Sequence, residues 1–188
     1  MRPFHREITM TNTQHWIGLL RGIGPTTHAK MPLAALCRAC EATGLGQVRS
    51  LLATGNLVFQ SPLPEGELTK ILCRVVAGFD LDNPTFLRGA PELRKVLALN
   101  PMPAAAQVRP HHMLVLFLDH PPPADRIAAV TAHGGPEPVQ VHGREVYIDF
   151  LDSVGRSKLT PARLERLLGQ PGTARNWNTL VKLAAAAA

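Results

Sequence analysis

The side chains best suited to chemistry in this 188-residue chain are cations set beside small polar residues at the edges of apolar runs. Arg21-Gly22-Ile23 follows Leu19-Leu20, and Lys30 precedes Met31-Pro32. Far along the chain, Thr173-Ala174-Arg175-Asn176-Trp177-Asn178-Thr179 repeats the mixture. Guanidinium, ammonium and amide donors in such places suit an anion, phosphate above all. The spacing Trp177, Leu180, Val181, Ala184 predicts an amphipathic helix that starts near Ala174 with Thr173 as N-cap. Arg175 would then be the second helical residue, against the positive end of the dipole, at a cost of about 0.3–1 kcal/mol. A carboxylate such as Asp149 or Asp152, or a bound anion, would offset that cost. Gly155-Arg156-Ser157-Lys158 precedes another predicted helix, and its donors could serve the same anion. Asn56, in the turn Thr54-Gly55-Asn56, is a turn residue first and a ligand contact second. The candidate anion site is therefore Arg21, Lys30, Asn56, Arg156, Ser157, Lys158, Arg175, Asn176 and Asn178.

The charge distribution points the same way. Twenty Lys and Arg against fourteen Asp and Glu give a net charge of +6. From Ser153 onward Arg156, Lys158, Arg163, Arg166, Arg175 and Lys182 face Glu165 alone, so most of the excess lies there. Such a local field draws phosphates and other anions. Aromatic residues make up only 5%, which leaves little material for a stacking platform on single-stranded nucleic acid.

Catalytic patterns are sparse. His28 is the candidate acid/base group. There is no G-x-S-x-G and no H-E-x-x-H. The stretch from Gly22 to Lys30 meets neither a Walker nor a dinucleotide fingerprint, because Pro25 removes a backbone donor and Met31 follows Lys30. No cofactor and no metal site is expected. Cys37 and Cys40 share a helical face with Leu33 and Leu36, which assigns the thiols to packing. Three cysteines, an odd number, suit a reducing, cytoplasmic setting. The chain has no apolar run long enough for a membrane span and no apolar stretch behind its basic N-terminus, so no membrane association is expected.

The elements that must position these residues read in order. Strands are predicted at 15–21, 48–53, 57–60 and 84–88, with helices at 32–43 and 65–79 between them. That β-α-β-β-α-β order is a ferredoxin-like arrangement, an antiparallel sheet with two helices on one face. A helix over 90–99 and a Pro/Ala-rich loop over 100–110 lead on. Strands at 112–118, 138–142 and 145–150, helices at 124–133 and 161–168, and the last helix give a partial copy, β-α-β-β-α-α. The expected class is α+β with two ferredoxin-like lobes and C-terminal helices. The expected division is a flexible N-terminal extension over 1–14, a lobe over 15–89, a linking helix and loop over 90–110, and a second lobe over 111–188.

Arg21-Gly22-Ile23, Lys30 and Pro32, Gly55-Asn56, Gly155-Arg156-Ser157-Lys158-Leu159, and Thr173 through Thr179 with Lys182-Leu183 together resemble the bacterial family called domain of unknown function 1697. The resemblance runs in order from about His15 to Leu183, and Arg-Asn-Trp-Asn-Thr is its most specific part. It implies an α+β fold with ferredoxin-like subdomains and brings no settled activity or cofactor. The chain departs from the family pattern at Gly24-Pro25-Thr26-Thr27, where Asn-Val-Gly-Gly is common, and at Ala53 and Thr54, where Gln and Ser are common.

Three functions follow as expectations. The first is a module that binds an anion, a phosphate group of a nucleotide or nucleic acid. The second is an enzyme on a small anionic substrate, with His28 as acid/base and Arg175 as clamp, which requires His28 to approach Arg21 and Asn56. The third is a structural or interaction role through self-association as a homodimer.

Overall fold

Apolar runs bounded by Gly and Pro turns form strands, and amphipathic stretches opened by Pro form the helices that cover them. The computed structural model describes residues 13–188. Residues 1–12 of the expected N-terminal extension lie outside the described residues, and Gln14 opens the first strand. The chain runs β1 (Gln14–Leu20), α1 (Pro25–Lys30), α2 (Leu33–Glu41), β2 (Gly46–Ser50), β3 (Asn56–Ser61), α3 (Glu65–Ala77) and β4 (Thr85–Gly89). It continues with α4 (Ala90–Ala98), α5 (Pro103–Val108), β5 (Met113–Leu118), α6 (Ala124–Thr131), β6 (Val139–His142) and β7 (Glu145–Asp149). A single 3-10 turn (Val154–Arg156), α7 (Pro161–Leu168), β8 (Gly172–Asn176) and α8 (Trp177–Ala186) complete it.

The fold is α+β, with two four-stranded antiparallel sheets in the orders β2-β3-β1-β4 and β6-β7-β5-β8. Alternation along each strand decides what lies on each face. Trp16, Leu20, Leu57, Phe59 and Leu87 turn one face of the first sheet toward α2 and α3. Ile17, Leu19, Val58 and Phe86 turn the other face into a core shared with Met113, Val115, Phe117 and Tyr147 of the second sheet. That shared core also takes Leu93 and Val96 of α4 and Leu180 and Leu183 of α8. Each such side chain, fully buried, contributes about 1.5–3 kcal/mol. Leu116, Val146 and Ile148 face the other way, toward Val130 of α6 and Leu164 and Leu168 of α7.

Three expectations need correction. The loop after β1 contains a short helix, α1, where Pro25 sits at the first position and Thr27 Oγ1 accepts from Gly24 N at 2.8 Å. The expected Pro/Ala-rich loop holds α5, again opened by a proline, with Ala105 buried. The last helix begins at Trp177, not near Ala174, and its N-cap is Asn176, whose side chain accepts from Thr179 N. Residues Gly172–Asn176 instead form β8, which pairs with β5 from Leu118↔Gly172 to Leu114↔Asn176. The second half is therefore a complete β-α-β-β-α-β followed by a helix, not the partial copy expected.

Arg109 at the end of α5 ties β7 down by donating to both carboxylate oxygens of Asp149, at 2.8 and 2.5 Å. These bonds hold the Asp149 carboxyl below its usual range, with Leu151 N–H adding to them and burial opposing. A depressed folded pKa stabilises the fold above the unfolded value of about 3.9, and that stability is lost as pH falls through the folded value. Asp149→Asn should therefore lower the melting temperature at pH 6, and the gap to the native protein should close below about pH 4. A gap that stays constant from pH 6 to pH 2 in circular dichroism melts would show that the ion pair contributes nothing.

Candidate functional site

β1 stops at Leu20 because the next residue leaves the sheet. Arg21 N donates to Pro84 O at 2.8 Å, Asn83 Nδ2 donates to Arg21 O at 2.8 Å, and Gly22 takes a positive φ of 70°. This turn sends the half-buried Arg21 side chain across to α7, where Nη2 donates to Glu165 Oε1. The pair stands at the rim of a chamber of about 550 Å³ between the second sheet and α7. Leu114, Leu116 and Ile148 of the sheet, Phe150 just past β7, and Leu159 and Leu164 on the α7 side wall it with hydrocarbon. Thr173, Ser157 and Thr160 bring a few hydroxyls to the lining. Gly172 belongs to the same wall. A side chain there would place its Cβ 2.8 Å from Leu116 Cδ1, so glycine is what lets β8 lie this close to β5.

Arg175 is the fourth residue of β8 and is 8% exposed. It does not sit in a helix, so its cost is desolvation and not opposition to a dipole. Its guanidinium crosses to the first sheet. Nε donates to Asn56 Oδ1 at 2.5 Å, and Nη2 to the carbonyls of Leu20 (2.8 Å), Thr54 (3.0 Å) and Gly55 (3.4 Å). Nη1 donates to Thr173 Oγ1 (2.7 Å) and to the carbonyl of Ala174 (2.9 Å). Every nitrogen of the fork is engaged, and all of the acceptors are neutral. Among the described residues no carboxylate pairs with Arg175, Asp149 and Asp152 included. Burial lowers its pKa from the ordinary arginine value to about 10. Asn56 is fully buried and in turn donates to Leu51 O (2.9 Å) and Thr54 Oγ1 (3.0 Å). Gly55 has a φ of 72°, and Ile23 packs so close that a Cβ at Gly55 would fall 2.4 Å from Ile23 Cγ1. The loop after β1, the 54–56 turn and β8 thus form one knot around Arg175.

The other expected residues lie around this knot in different settings. Asn176 caps α8 and lines a second cavity of about 270 Å³ with Thr54, His111, Arg175 and Thr179. That cavity shares Leu114, Val154 and Ala174 with the chamber. Asn178 Nδ2 lies 3.2 Å from His111 Nε2 at its edge. Ser157 is on the chamber wall, and its hydroxyl donates to Glu137 Oε1. Arg156, Ser157 and Lys158 line a third cavity of about 330 Å³ beside Glu137 and Arg163. Lys30 is exposed at the end of α1. His28 Nε2 lies 2.8 Å from Ala53 O, on the outer side of the turn, and lines neither the chamber nor the adjoining cavity.

Sequence reading missed Arg88, the fourth residue of β4 and fully buried. Its Nε donates to Glu145 Oε1 at 2.6 Å and its Nη2 to the carbonyls of Leu118 (2.8 Å) and Arg144 (3.3 Å). Its Nη1 donates to Leu87 O at 2.7 Å, and the guanidinium lies 5.3 Å from the centre of the Phe117 ring. Burial lowers the Arg88 pKa, with Glu145 acting against it, and burial raises that of Glu145, with Arg88 acting against it. A signal was present: Leu87-Arg88-Gly89 and Ala174-Arg175-Asn176 both end a strand on the residue that caps the next helix. Sequence reading also missed Glu165 and the apolar chamber wall, which only the tertiary fold assembles.

The family "Protein of unknown function (DUF1697)" matches residues 13–147, most of the chain, and ends before β8. In overall fold the chain is similar to a solved structure, that of the conserved bacterial protein SP0830 from Streptococcus pneumoniae. The TM-score is 0.67 at 22% sequence identity, with 93% of this chain and 98% of that chain covered. No curated protein matches the chain. With most of its length matched and the α+β architecture in place, the chain belongs to the DUF1697 family of proteins of unknown function.

Proposed function

We propose that this protein binds a small molecule that joins an apolar body to an anionic group. The observation that carries the reading is the chamber between the second sheet and α7, walled by hydrocarbon and rimmed by the Arg21–Glu165 pair. A cleft of several hundred Å³ with apolar walls and few polar groups is the common form of a small-molecule site. The sign of the ligand's charge follows from the surroundings. Arg21 at the rim is paired with Glu165 and so contributes little net charge, whereas Arg175 is a buried cation with neutral partners that lines the adjoining cavity, which opens from the same wall. A phosphate ester or a carboxylate meets this description when the rest of the molecule is apolar. A nucleic-acid strand does not fit a concave apolar chamber. His28, bonded to the Ala53 carbonyl away from the chamber, gives no support to catalysis, so binding is the reading preferred here.

Octanoate is a suitable probe, since it pairs a carboxylate with a hydrocarbon chain. It should raise the melting temperature of the native protein. Ala174→Leu, which pushes a larger side chain into the wall shared by both cavities, should weaken octanoate binding about tenfold or more in calorimetric titration. Equal affinity in the two proteins, or no binding by the native one, would remove this reading.

A further inference from the structure

Arg88 and Arg175 are equivalent in position and differ in the partner of Nε, with Arg175 adding bonds to Thr173 Oγ1 and Thr54 O. Each is the fourth residue of the last strand of its sheet and reaches into the other sheet. Each puts Nη2 on the carbonyl of the last residue of the partner sheet's first strand, Leu118 for Arg88 and Leu20 for Arg175. The same nitrogen also meets the carbonyl just before the partner's third strand, Arg144 in one case and Gly55 in the other. Each gives Nη1 to the carbonyl of its own preceding residue. Each gives Nε to the side chain of the first residue of that third strand. For Arg88 this is the Glu145 carboxylate; for Arg175 it is the Asn56 amide.

We infer that Asn56 determines ligand specificity: by keeping the position opposite Arg175 neutral, it leaves that charge to draw an anionic group into the adjoining cavity. The inference rests on the reading that the chamber takes the ligand's apolar body. Because the guanidinium nitrogens are already committed to protein oxygens, the attraction is Coulombic and not a new hydrogen bond. Because Arg175 is 8% exposed, its charge is screened less than a charge in open water. The cavity offers donors of its own for the anion, on Thr54, Asn176 and His111. Since it shares Leu114, Val154 and Ala174 with the chamber, one molecule can fill both. The Arg88 side needs no such ligand, since Glu145 already supplies the counter-charge.

Asn56→Asp supplies the missing carboxylate. It also removes the amide donors to Leu51 O and Thr54 Oγ1, so a second variant is needed. His111→Glu brings a carboxylate to the same cavity from an exposed position and removes the His111 donor, so it tests whether the anionic group lies in that cavity, while Asn56→Asp tests Asn56 itself. Octanoate affinity should fall about tenfold in both variants, a loss of about 1.4 kcal/mol, while octanol affinity stays at the native level. If Asn56→Asp does not fold, the native protein decides: octanoate must bind more tightly than octanol, and equal affinities overturn the inference. Unchanged octanoate affinity, or equal losses for octanoate and octanol, would overturn the inference while the chamber reading stands. If neither probe binds the native protein, the chamber reading fails, and inorganic phosphate then tests the charge by itself. A larger phosphate-dependent rise in melting temperature for the native protein than for the variants supports the role of Asn56. Equal rises overturn it.

Discussion

Arg88→Met should cost about 3–5 kcal/mol of folding stability, read as a drop in the urea midpoint. Arg88 is fully buried, and its removal strands a Glu145 carboxylate that is only 8% exposed. A buried carboxylate without a partner must either stay charged in a poor solvent or take up a proton, and both weaken the fold. The carbonyls of Leu118 and Arg144 lose their donor as well. Arg88→Met combined with Glu145→Leu should recover most of the loss, because replacing both members of a buried pair by hydrocarbon of similar volume is often close to neutral. A double variant as unstable as the single one would show that the carboxylate is not the cause. Glu92 and Glu65, which both pair with Arg144 next to Glu145, remain in either variant and keep that neighbouring link constant.

Arg175→Met should also destabilise the protein strongly, by about 3 kcal/mol or more, for a different reason. Here no counter-charge is stranded. The loss comes from the carbonyls of Leu20, Thr54, Gly55 and Ala174 and the amide oxygen of Asn56, which all face the vacated space. Each buried acceptor left bare costs about 1–3 kcal/mol, and release from the desolvation of a buried cation returns part of the sum. Arg175→Lys should rescue little, since one ammonium cannot span acceptors spread around a planar fork. Hydrogen exchange localises the effect. The amides of Leu20, bonded to Gly55 O, and of Leu51, bonded to Asn56 O, should exchange faster than in the native protein. An unchanged urea midpoint for Arg175→Met would contradict the account of the knot.

Much of the architecture was legible in the sequence because it rests on local rules. Pro161 after Thr160, and Gly169 beyond Leu168, bracket α7 at the expected residues: the Thr160 hydroxyl accepts from Arg163 N, and Gly169 is left-handed at 74°. The hairpin at Thr54-Gly55-Asn56 and the apolar runs of β1 and β5 were equally plain. β8 was not legible, because Gly-Thr-Ala-Arg-Asn contains no large apolar residue and no alternation. Its strand form is imposed by β5, against which only glycine can lie at position 172. α5 was hidden by its own composition, since prolines and alanines read as a loop until Ala105 is seen to be buried. Around the candidate site, the types of Arg21, Asn56 and Arg175 marked a region where three segments meet. The reason offered for Arg175 was mistaken, because the helix starts after it. The chamber was invisible in one dimension, since its walls come from β5, β7, α7 and β8 and only contact in space makes them a surface.

The crossed arginines have a consequence for how the molecule holds together. Each half carries a cation that donates to oxygens of the other half, and each half presents a strand-end carbonyl, Leu20 or Leu118, that the other half's cation caps. The relation is reciprocal, as it is between the subunits of an isologous dimer. Within one chain the two sheets meet through matched contacts, with α4 and α5 between them in sequence. Covalent joining permits what identical subunits cannot: an acid at one matching position, Glu145, and an amide at the other, Asn56, so that one junction is neutral and the other electrically open.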